Sequence, residues 1–96
     1  MSRAPVAFEA QLRVADLSKV KIRVVEISTH GFRAMTAARL NPGDSVYLHI
    51  PSLNALHAMV RWVENSAFGC EFLQPLYAPV AEHIARQYPD HYRPMT

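Results

Sequence analysis

Between residues 19 and 73 the chain alternates apolar and polar side chains with a period of two, and that period restricts it to β-strands. The alternation is cleanest in Lys19-Val20-Lys21-Ile22-Arg23-Val24, where one face must enter a core while the cationic face meets solvent or a ligand. Val25 and Ile27 then break the phase. This predicts a strand end or a bulge, because a single extra residue switches which side chains point inward.

The same reading divides the rest of the chain. Phe8 to Val14 reads as a first strand, and Gly31 to Thr36 as a third, reached through a tight turn at Ser28 to Gly31. Asn41-Pro42-Gly43-Asp44 is a second turn, in which proline presets one dihedral and glycine permits a positive φ at the next, and it delivers Ser45 to Ile50 as a fourth strand. Pro51 stops that strand. Leu56 to Val63 follows, with its even positions, Trp62 included, expected on one apolar face. Glu64-Asn65-Ser66 is a short polar connection to a sixth strand carrying Phe68, Cys70 and Phe72 on one side and Gly69 and Glu71 on the other.

After Pro75 the period changes: Leu76, Val80, Ile84 and Tyr88 recur every fourth residue, predicting an amphipathic helix over 78–88 with Pro79 in its first turn. Residues 89–96 are expected to form a loose tail. Six short antiparallel strands over about 8–73 close most readily into a barrel, which removes exposed edges, with the helix covering an open end. At 96 residues the chain has material for one domain.

Composition narrows the function. A formal net charge of +2, with Arg13, Lys19, Lys21, Arg23 and Arg33 interleaved among apolar residues, gives no basic stripe able to neutralise a run of phosphates, so neither DNA nor RNA is expected as a partner. The excess of Arg over Lys would instead suit one compact anionic ligand. No apolar signal core or long apolar run appears, so the expectation is a cytoplasmic protein without membrane insertion. The five histidines form no pair at metal-ligand spacing, no Gly-x-Ser-x-Gly occurs, and Cys70 falls on an apolar strand face. Hence no metal, no cofactor and no enzymatic activity are expected.

Glu26-Ile27-Ser28-Thr29-His30-Gly31, ahead of the apolar Phe32, is the most informative stretch, and it resembles the Asp/Asn-x-Ser-x-x-Gly turn of the PilZ family. Leu40 to Val46 resembles that family's Pro-Gly turn before a later strand, and Arg61-Trp62-Val63 with Phe68 to Phe72 resembles its closing hairpin, so the likeness covers residues 20–75. It implies a PilZ-like six-stranded barrel and a bacterial second-messenger receptor for cyclic di-GMP. In that family the ligand is held by an Arg-x-x-x-Arg segment and by the turn. Paired guanidiniums suit phosphates and the Hoogsteen edge of guanine, and a carboxylate accepts the base's Watson-Crick donors.

By this resemblance the candidate ligand residues are Arg3, Glu26, Ser28 and Gly31, with Arg23 and Arg33 as flanking cations. Two departures bear on affinity. Ala7 stands where the second arginine of the clamp belongs, and Glu26 is one methylene longer than the usual aspartate. Each is expected to weaken nucleotide binding, unless Arg13, Arg23 or Arg33 replaces the lost cation. Simple ion pairing of Glu26 with Arg33 or Arg23 on a solvated face is the other outcome open to these residues. Two functions follow: a cyclic di-GMP receptor with a weakened motif, or a protein-interaction adaptor for motility or secretion components that no longer reads the nucleotide.

Overall fold

The computed structural model describes residues 3–14 and 18–90. Six strands, β1 (Ala4–Arg13), β2 (Lys19–Ile27), β3 (Gly31–Met35), β4 (Ser45–His49), β5 (Leu56–Glu64) and β6 (Ala67–Phe72), precede one helix, α1 (Ala78–Gln87). The strands form a closed antiparallel barrel in the order β1-β2-β3-β6-β5-β4. Closure by β1 against β4 is short, pairing only Gln11–Arg13 with Tyr47–His49, and nearer its start β1 meets the residues after the helix instead.

Period-two patterning becomes core here in the expected way. Leu12, Ile22, Val24, Val46, Leu48, Ala58, Val60 and Phe68 point inward and are almost wholly buried, while Glu9, Lys21, Arg23 and Arg33 face out. Phe32 packs edge-on against Phe68, with ring centroids 6.1 Å apart, and tilted against Phe72 at 5.6 Å. The first strand begins at Ala4, four residues ahead of the expected Phe8. Val6 already occupies the inward phase, but the apolar Ala4, Pro5 and Ala7 around it erase the polar half of the pattern.

The turns carry the residues their geometry demands. Gly43 has φ +95° after Pro42, and the Asp44 amide donates to the Asn41 carbonyl at 3.1 Å. Asn65, at φ +55°, occupies the left-handed region that asparagine tolerates, and it joins β5 to β6.

Helix α1 buries Ala81 and Ile84 against the barrel and has Pro79 in its first turn. Its end is tied to β1: the Ala7 amide donates to the Tyr88 carbonyl at 3.0 Å, the Phe8 and Tyr88 rings lie 4.4 Å apart, and Pro89 bridges to Val6. Residue 89 is therefore fastened and does not begin a loose tail; the expected tail over 91–96 lies outside the described residues.

Phe68 is the largest side chain to be fully enclosed, so truncating it leaves a cavity that the rigid barrel closes poorly. Phe68→Ala should cost about 3–5 kcal/mol, a large share of the about 5–15 kcal/mol that domains of this kind possess. Urea denaturation followed by circular dichroism should show the midpoint collapse with the slope unchanged.

Candidate functional site

Three irregularities in strand pairing lie around one part of the barrel wall, and they decide which side chains face out there. In β2, Val24 pairs with Ala34 and Glu26 with Arg33, so Val25 is an extra residue against β3. In β5, Val60 pairs with Cys70 and Trp62 with Gly69, so Arg61 is extra against β6. In β1 the register shifts between Pro5 and Phe8, opposite the same stretch of β2.

The consequence is a change of phase. Ile22 and Val24 point inward, so without the extra residue Glu26 would follow them into the core. With it, Ile27 is buried and the Glu26 carboxylate is brought out, 24% exposed. The bulge foreseen from the phase break is thus present. The same device overturns the expected inward position of Trp62. Ala58 and Val60 are buried, but the extra Arg61 turns Trp62 outward, where it is 40% exposed and its indole packs over Gly69.

Strand pairing now aligns an outer row across four strands, Glu26–Arg33–Gly69–Trp62, beside a second row in which Gly31 stands opposite Glu71. Between them lies a groove of about 300 Å³, lined by Arg3, Glu26, Ser28, His30, Gly31 and Arg33 on one side and by Arg61, Trp62, Gly69 and Glu71 on the other. That volume is at the small end of the range for ligand sites, about 300–1,000 Å³. Another cleft, of about 430 Å³, is lined by Glu9, Gln11, Lys21 and His49, and offers one cationic side chain where the groove offers three.

Ion pairs organise the groove's charge. Glu26 holds two arginines, with Arg3 Nη1 3.6 Å from Oε1 and Arg33 Nη2 3.3 Å from Oε2, and Arg61 Nε donates to Glu71 Oε1 at 2.7 Å. Three guanidiniums against two carboxylates leave one net positive charge. These are exposed pairs worth roughly 0–1 kcal/mol each to folding, so their effect is to aim the side chains more than to stabilise the barrel.

The Ser28–Gly31 turn forms the end of the groove and is braced from within. The Ser28 amide donates to the Gly31 carbonyl at 2.9 Å, and the Ser28 hydroxyl accepts the His30 amide at 3.2 Å and reaches the Gly31 carbonyl at 3.5 Å. Gly31 is required by close packing and not by conformational freedom. Its φ is not positive, but a Cβ there would overlap the Cys70 carbonyl of β6, so the close backbone approach itself demands glycine. Cys70 is 7% exposed, and burial pushes its thiol up to about 12, as expected of a core residue and not of a nucleophile.

Of the six residues singled out from sequence, Arg3, Glu26, Ser28, Gly31 and Arg33 line the groove together, and Arg23 does not. Arg23 precedes the extra Val25 and pairs with Met35 in the row next to Glu26–Arg33, and neither of them lines the groove. Arg13 is also elsewhere, its guanidinium 5.1 Å from the Tyr47 ring centroid. Ala7, where the second clamp arginine was sought, is fixed by its amide to Tyr88 and is absent from the groove lining. The groove's other cations are Arg33 and Arg61. Arg61, Trp62 and Glu71 were missed as site residues because the parity of β5 conceals its bulge. The outward position of Glu71 was legible, but not its neighbours. Among the described residues no group of three metal-ligating side chains occurs, and no helix is long and apolar enough to cross a membrane.

No family model matches the chain, and no curated protein matches it.

Gly69 supports the groove by leaving room for the Trp62 indole. Gly69→Val should push the indole off the wall, shifting tryptophan emission to longer wavelength and lowering stability by about 1–3 kcal/mol, measured by thermal melting. Gly69→Ser should show the same direction with a smaller effect.

Proposed function

We propose that this chain is a PilZ-like binding module that receives cyclic di-GMP in the groove beside the Ser28–Gly31 turn, and that it works by recognition without catalysing a reaction. The observation that carries this reading is the convergence of Arg3, Arg33 and Arg61 with Glu26 and the face of Trp62 on one groove. A cyclic dinucleotide presents two phosphates, two purine faces and guanine edges. Guanidiniums can take the phosphates and the O6/N7 edge through forked bonds, the indole can stack on a base, and Glu26 can accept the N–H donors of the opposite edge.

The arrangement also accounts for how a chain with Ala7 in the clamp could still bind. Cations come from β3 and β5 in place of the missing amino-terminal one, and Glu26 holds Arg3 and Arg33 before the ligand arrives, which lowers the ordering cost of binding. The extra methylene of Glu26 would be absorbed by the same two contacts. Ligand would draw Arg3 from Glu26 onto a phosphate and so alter the surface that a partner protein meets.

A second reading, a protein-interaction adaptor for motility or secretion components, is favoured by the apolar side chains on this wall. Met35 is 46% exposed and Trp62 40%, on strands adjoining the groove.

Isothermal titration of cyclic di-GMP into the protein should give saturable heat that weakens as salt is raised, since phosphates are being neutralised. Arg3→Ala, Arg33→Ala and Glu26→Ala should each reduce affinity about ten-fold or more, the loss of one charge-assisted bond. Absence of heat at high micromolar ligand would end the receptor reading and leave the adaptor.

A further inference from the structure

Glu71 is the carboxylate of the groove that the Ser28–Gly31 turn does not explain. It faces outward from β6 directly opposite Gly31, which puts no side chain between it and the turn, and it stands two residues along the strand from Gly69, on which the Trp62 indole rests. Arg61 Nε donates to its Oε1 at 2.7 Å, and both side chains are about half exposed, 57% and 51%. That geometry consumes one donor of Arg61 and leaves its terminal N–H groups. Glu71 Oε2 makes no hydrogen bond to another described residue. The extra residue in β5 is what creates the pair, since it places Arg61 and Trp62 side by side on the outside.

We infer that the Arg61–Glu71 pair is the specificity-determining element of the groove, reading the edge of a guanine base stacked on Trp62 and rejecting adenine. This rests on the nucleotide reading proposed above and deepens it. The argument is one of matched polarity. Along its edge guanine offers an acceptor, O6, followed by two donors, N1–H and N2–H2, and a guanidinium fastened beside a carboxylate offers the complementary sequence, donors followed by acceptors. Adenine reverses the first two groups: its N6 amino group would face the guanidinium donors and its N1 lone pair would face the carboxylate. Both mismatches leave desolvated polar groups unpaired, which is where discrimination between similar ligands comes from. The Nε–Oε1 bond fixes the order of the two groups, so the pair acts as a unit and neither member alone carries the full preference.

The test compares cyclic di-GMP with cyclic di-AMP, by titration calorimetry, on wild-type protein, Glu71→Gln and Arg61→Ala. Glutamine keeps the size of Glu71 and one acceptor but presents a donor in place of the second oxygen. Since Glu71 and Arg61 are half exposed and outside the core, both variants should keep the wild-type melting temperature within a few degrees. Wild-type protein should prefer cyclic di-GMP at least about ten-fold, and Glu71→Gln should cut that ratio about ten-fold by weakening cyclic di-GMP while cyclic di-AMP, whose N1 can accept from the new amide, binds no more weakly. Arg61→Ala should weaken cyclic di-GMP and also lower the ratio.

If wild-type protein binds cyclic di-GMP and Glu71→Gln keeps the full preference, or weakens both ligands equally, the pair merely positions the groove wall and the inference is overturned, with the receptor reading intact. Equal wild-type affinity for the two ligands would overturn it also. If wild-type protein binds neither, the receptor reading itself fails and takes this inference with it.

Discussion

A closed barrel built on strict alternation has only two surfaces, an apolar interior and a polar exterior, and a groove with aimed side chains needs that alternation to be broken at chosen places. Here two extra residues, Val25 in β2 and Arg61 in β5, do so. The first keeps Glu26 out of the core while letting Ile27 in. The second turns Trp62 out while keeping Val60 in. Without these shifts a carboxylate would be driven into an apolar interior at a cost of several kcal/mol, and the outer wall would lack its aromatic face. The ion pairs of Glu26 and the outward indole of Trp62 follow from this pair of phase changes.

Glycine at two positions completes the wall. Gly31 lets β3 approach the Cys70 carbonyl of β6, and Gly69 leaves room for the Trp62 indole. Neither depends on an unusual φ; both depend on the absence of a Cβ. The ion pairs then set direction. Glu26 gathers Arg3 from the amino-terminal end of the chain and Arg33 from β3, and Glu71 gathers Arg61 from β5, so cations supplied by separate parts of the chain converge without the adjacent arginine that Ala7 lacks. A carboxylate between two guanidiniums limits their rotamers before a ligand arrives, and an arriving phosphate has to compete with it. The proposed affinity is the balance of these two effects.

Much of the barrel was legible because its strands obey one rule. Lys19 to Val24 and Ser45 to Ile50 alternate so plainly that their inward sets could be named, and the four-residue spacing of Val80, Ile84 and Tyr88 marks the helix. The failures occurred where sequence carries no local mark. Ala4 to Ala7 is apolar on both faces, so β1 starts earlier than its pattern shows. Arg61-Trp62-Val63 reads as a continuation of an even-numbered apolar face, because nothing in three residues reveals which of them is unpaired; only the register against Cys70 and Gly69 does. Glu26, Ser28 and Gly31 could be grouped because they resemble one contiguous family turn, and Arg33 because it follows that turn by two residues. Arg61 and Glu71 could not, since their meeting depends on a hairpin register, and Arg23 was included because the row it occupies depends on the bulge beyond it.

The chain has a single tryptophan, and it stands on the groove wall. Its emission is therefore a direct reporter of whether the surface made by the two phase changes is where a nucleotide settles. Titrating cyclic di-GMP should quench or shift Trp62 emission in a saturable way, with a midpoint matching the calorimetric one, because a purine would lie on the exposed indole. Emission that stays constant through a titration in which heat is released would place the ligand elsewhere on the barrel and contradict the account.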